Sequence, residues 1–120
     1  MLQIPIWDLL ASYSGDSKNF SFAGEIYDGY MEDIRFLKPL EFQIKIISLD
    51  DGVEVIFDDI KTEILYEWQK HSIDIGNFER TFKKYIDPLI DGDDVRPIEN
   101  MQIDLTPVIR EELIIASMSV

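Results

Sequence analysis

Cysteine is absent from this chain, and with it go disulfide bridges, thiolate nucleophiles and cysteine-ligated zinc. Histidine occurs once, at position 71, so imidazoles alone cannot supply the three or four ligands of a zinc centre. No window approaches the roughly 18 apolar residues of a spanning helix, and the opening MLQIPIWDLLASYSG has no basic n-region. These gaps set the expectation of a soluble, unprocessed, cytoplasmic protein with no membrane partner. Nucleophile elbows (Gly-x-Ser-x-Gly), a Walker lysine and Gly-x-Gly-x-x-Gly are also missing, so nothing short marks an enzyme or a phosphate cradle. Bases are scarce: 11 stand against 24 acids, a net charge of -13. Such a field repels nucleic-acid phosphate and favours basic partners.

The charge is unevenly spread. Residues 60–86 hold Lys61, Lys70, Arg80, Lys83 and Lys84 against Glu63, Glu67, Asp74 and Glu79, which leaves that window one unit positive within an acidic chain. Solvated strand faces account for this pattern without a ligand. The functional alternative is an RNA contact in which these cations work with Tyr66 or Trp68.

At 120 residues the chain suits one domain that buries roughly two thirds of its unfolded surface. LEFQIKIIS alternates, with Leu40, Phe42, Ile44 and Ile46 on one face and Glu41, Gln43 and Lys45 on the other, so a half-buried strand is expected over 40–49. Asp51-Gly52 then signals a hairpin, which leaves Asp50 and Asp51 as turn residues and not a catalytic carboxylate pair. The returning strand, over 53–67, starts Val53, Val55, Phe57 and resumes Ile60, Thr62, Ile64, Tyr66, Trp68. Its apolar phase slips by one at Asp58-Asp59, which predicts a β-bulge there. SIDIGN reads as a turn, and FERTFKKYI fits both a strand and a helix, with its aromatic content favouring a strand. Residues 87–101 read as an acidic loop. Its acids Asp87, Asp91, Asp93, Asp94 and Glu99 fail the calcium-loop register, because the fifth position counted from Asp91 is Val95.

A helix is expected over 102–118. Asp104 or Thr106 caps it, Pro107 suits its first turn, and Leu105, Ile109, Leu113 and Ala116, flanked by Val108 and Ile115, form its apolar stripe. Near the N-terminus LQIPIWDLLASY suggests a short strand and a helical turn, and FSFAGEIY a further strand. Among the aromatics, Tyr27, Tyr30, Phe36, Tyr66 and Trp68 could stack bases, although strand spacing favours the core. The expected fold is α+β: a mainly antiparallel twisted sheet, or a partial β-barrel, with the C-terminal helix packed on it.

The order of these features resembles the YceD family of large ribosomal RNA subunit accumulation proteins. The similarity rests on the LKPL strand entry, the DDGVEV hairpin, the aromatic strand, the acidic loop and above all IDLTPVIREELIIA at 103–116. It runs from about residue 36 to the end, with 1–35 matching only in general character, within one domain over 1–120. Members of that family typically carry Cys-x-x-Cys where this chain has Trp68 and His71, and a second cysteine segment where it has ASMSV. The resemblance therefore implies the scaffold without metal or other cofactor, with Trp68 packing where a ligand would have held the strand end. It further implies a non-enzymatic role in ribosome biogenesis. The partner would be a basic ribosomal protein or a pre-ribosomal particle; direct ribosomal RNA binding through 60–86 is the alternative. A small ligand-binding or hydrolytic β-barrel is a third reading. Docking through Arg110, Glu111 and Glu112 on the C-terminal helix would add a polar contact face.

Overall fold

The structure is a computed structural model and describes residues 2–24, 32–92 and 95–118. In chain order its elements are β1 (Gln3–Pro5), α1 (Trp7–Leu10), β2 (Ser17–Gly24), β3 (Arg35–Phe36), β4 (Leu40–Ser48), β5 (Gly52–Tyr66), β6 (Gln69–Ile75), β7 (Phe78–Lys83), β8 (Val95–Pro97), β9 (Gln102–Asp104) and α2 (Thr106–Met118). The result is an α+β fold in which an open, mainly antiparallel sheet carries α2 on one face; it does not close into a barrel.

The 15-residue β5 is the spine. Its first half pairs with β4 on one side and β7 on the other, and its second half with β6 and the short β3. Between these halves the register against β4 jumps from Gln43↔Asp58 to Glu41↔Lys61, one extra residue on β5, and Asp59 takes a left-handed φ of 50°. That bulge turns both Phe57 and Ile60 to the same face, where each is fully buried. The remaining pairings are β2 on the free side of β4, β8 parallel on β7, and a separate two-stranded sheet of β1 with β9.

One face of the sheet makes the core, because the even residues of β4 and the phase-shifted residues of β5 are apolar. Phe22, Phe42, Phe57 and Phe78 run across four strands with ring centroids 5.3, 6.3 and 4.5 Å apart. Leu105, just before α2, and Val108, Ile109 and Leu113 of α2 join the same core, all fully buried. The other face is hydrophilic, with Glu41, Lys45, Asp58, Lys61 and Asp74 exposed on it.

Several expectations change in detail. The first hairpin loop lies at Asp50-Asp51, closed by a 2.8 Å bond from the Leu49 N–H to the Gly52 carbonyl. Gly52 is needed for close packing: a Cβ there would sit 1.9 Å from the Phe82 carbonyl oxygen. SIDIGN is not a turn, since Gln69–Ile75 is a strand with His71, Ile73 and Ile75 facing inward. The strand after it ends at Lys83, short of residue 86. The acidic loop contains β8 and a tight turn at Asn100-Met101, and α2 begins at Thr106, with 102–104 taken by β9. Asp104 accepts the Thr106 N–H at 3.0 Å, while the buried Thr106 hydroxyl accepts the Leu2 N–H at 2.9 Å and ties the helix start to the N-terminal segment. Ile115 leaves the apolar stripe and is exposed, and Ala116 is only half-buried. Tyr27, Tyr30, Asp93 and Asp94 lie outside the described residues, as does the end of FSFAGEIY. Among the described residues no helix is long and apolar enough to cross a membrane.

Candidate partner-binding surfaces

β5 and β6 join through the two-residue loop Glu67-Trp68, whose φ values of 51° and 65° give both residues left-handed backbones. Such a loop projects beyond the closing pair Tyr66↔Gln69, so Trp68 is 96% exposed. The expectation that Trp68 packs at the strand end is therefore corrected: the turn geometry points it into solvent, and Ile64 and Ile73 provide the burial there. His71 pairs with Ile64 and lies half-buried on the core face beneath α2. With Trp68 at the tip and one imidazole on the inner face, these positions do not fit a zinc site. Among the described residues no three His, Cys, Asp or Glu side chains converge in a metal-binding group.

The cations of 60–86 do not share one face. Arg80, opposite Val55, points to the core side, lies 5.0 Å from the Phe78 ring centre and pairs with Glu112 of α2. Lys61, Lys70 and Lys83 lie on the outer face. There Lys70 reaches Glu63 at 2.7 Å and Lys38 reaches it at 3.1 Å. Both ammonium groups hold the Glu63 carboxyl below its ordinary range, Lys70 contributing most. Lys83 sits between Asp91 at 2.7 Å and Asp51 at 3.3 Å, and these bonds, Asp91 first, raise it above the usual lysine value. Asp91 is lowered in return, chiefly by Lys83 and then by the Asp87 N–H. Three of the five cations are thus neutralised within the fold, and Lys61 and Lys84 make no ion pair among the described residues. Tyr66 is half-buried and packs against the core.

The polar face expected on α2 is also occupied. Arg110 pairs with Asp33 at 2.6 Å, Glu111 with Arg96 at 2.7 Å and Glu112 with Arg80, so these three side chains fasten the helix to the sheet and its loops. The Arg96 Nε–H is buried with no partner. On the outer face Glu54 titrates above the normal glutamate value, first through a hydrogen bond with the Glu79 carboxyl, then through burial and the charge of Glu79.

A surface not anticipated from the sequence lies at the end of the sheet beyond β7. Trp7, Leu10, Ala11, Lys84, Tyr85, Ile98 and Met101 line an open, mostly apolar groove of about 440 Å³. The segment continues with exposed Leu89 and Ile90. The sequence signal was the density of large apolar residues in YIDPLID, which an acidic-loop reading passes over.

The fold and its surfaces define the class: an open-sheet α+β domain with an acidic exterior and an exposed apolar end. No family model, curated protein or solved structure matches this chain.

Proposed function

We propose that the protein is a non-enzymatic factor in ribosome biogenesis that supports accumulation of large-subunit ribosomal RNA by binding a basic ribosomal protein or an assembly intermediate. The observation that carries the binding part is electrostatic. A chain at -13 pairs Lys70, Arg80 and Lys83 internally, so in the window with most bases Lys61 and Lys84 are the cations left without an ion pair among the described residues, against Glu67, Asp74 and Glu79. Lysine-rich proteins are steered toward so acidic a chain, and phosphate chains are steered away. The ribosomal setting rests on the resemblance to the YceD family from about residue 36 to the end. Direct RNA binding through 60–86 loses support, because Arg80 faces inward and Tyr66 is packed. Affinity capture of the tagged protein from cells, together with measurement of large-subunit RNA after its depletion, tests the reading. Recovery of large-subunit proteins and a fall in that RNA are expected. Unchanged RNA levels and capture without ribosomal proteins would overturn it.

A further inference from the structure

We propose that the groove between α1, the segment after β7 and the turn before β9 is the docking site for an apolar anchor carried on a lysine- or arginine-rich segment of a partner protein. This rests on the reading of the protein as the acidic partner of a basic one and names the surface that would do the holding.

Backbone hydrogen bonds fix the segments that carry the side chains lining the groove. The Lys84 N–H donates to the Asp51 carbonyl at 3.0 Å, the Ile98 N–H to the Lys83 carbonyl at 3.0 Å, and the Ile6 N–H to the Met101 carbonyl at 2.9 Å. Three chain segments remote in sequence are thereby locked side by side, so a ligand meets a preformed surface and pays little ordering cost. The short α1 turns Leu9 into the core and Trp7 outward. Tyr85, just past β7, is 87% exposed, and Met101 stands at a left-handed turn position with φ 56°. Leu10 and Ile98, half-buried, form the floor. Aromatic and methionine side chains around a concave apolar floor are the composition of interface hot spots, and 440 Å³ falls in the range of about 300–1,000 Å³ for binding clefts.

Charge selects the occupant. Lys84 is the one charged residue lining the groove, and the adjoining loops carry Asp50, Asp51, Asp87, Asp91 and Glu99 against Lys83, so with Lys84 counted the acids exceed the bases by three. A second copy would bring another -13 against the first, and an anionic membrane or RNA would be repelled likewise. A cationic segment with one large apolar side chain satisfies both the rim and the floor.

The test uses two labelled synthetic peptides, one rich in lysine with a central leucine, the other with alanine in its place, titrated by fluorescence anisotropy. The leucine peptide should bind about tenfold tighter, and Trp7→Ser and Tyr85→Ser should each erase that advantage; Trp68→Ser, elsewhere on the surface, should not. Thermal melts of the variants confirm their folding. Equal affinity of the two peptides, or unchanged binding by the groove variants, overturns the groove assignment while leaving the acidic-partner reading standing. Failure of both peptides to bind overturns both. Self-association of the wild type, or its binding to phosphatidylglycerol vesicles, if abolished by Tyr85→Ser, also overturns the assignment.

Discussion

Leu113→Ala probes whether α2 is part of the core. Leu113 is fully buried over the sheet, and the change removes three carbons. At ~0.8 kcal/mol per buried CH₂ the transfer loss is about 2.4 kcal/mol, and an uncollapsed cavity raises the total toward 5 kcal/mol. For 120 residues the unfolding entropy is about 0.25 kcal/mol/K, so Tm should fall by roughly 10–20 °C. Met118→Ala, exposed on the same helix, should cost no more than about 0.5 kcal/mol and shift Tm by about 2 °C or less. Differential scanning calorimetry of both variants reads the contrast. A Leu113→Ala shift as small as that of Met118→Ala would refute the packing of α2 on the core and release the helix for a partner.

Three further outcomes are expected. Gly52→Ala places a Cβ 1.9 Å from the Phe82 carbonyl oxygen, so β7 must move; a loss of at least about 2 kcal/mol in urea unfolding is predicted, and a neutral result would contradict the strand spacing. At the β5–β6 turn, Glu67→Asn with Trp68→Gly replaces two strained left-handed residues and should gain about 1–2 kcal/mol, whereas a loss would show that Trp68 supports the fold. Glu54 titrates above its normal value, so its favourable contribution is complete below the unfolded glutamate value of about 4.3 and is lost as pH rises through the higher folded value. Glu54→Gln should therefore raise Tm at pH 7 and lose that gain near pH 4, and an equal gain at both values would dismiss the Glu54–Glu79 interaction.

The parts that were legible in the sequence are those where one strand's own pattern decides the structure. Leu40 to Ile46 alternate, and the phase slip at Asp58-Asp59 marks a bulge because two apolar runs must share one core face. Ile115 was wrongly assigned to the stripe, although it lies two residues from Leu113, about 200° around a helix, and so cannot share its face. Less visible was β6, whose inward positions begin with Gln69 and His71 and do not announce burial. The ion pairs were out of reach, since Arg80–Glu112, Arg96–Glu111 and Arg110–Asp33 join residues 15 or more positions apart that only the folded sheet brings together. The apolar groove was hidden for the same reason, being assembled from residues 7–11, 84–85 and 98–101.

The most direct test of the electrostatic account is a side-by-side titration, at physiological ionic strength, of purified protein against a purified lysine-rich large-subunit ribosomal protein and against naked large-subunit RNA. Saturable binding to the basic protein that weakens with added salt, with none to the RNA, is the predicted result. Tight binding to the RNA with no affinity for the basic protein would contradict it.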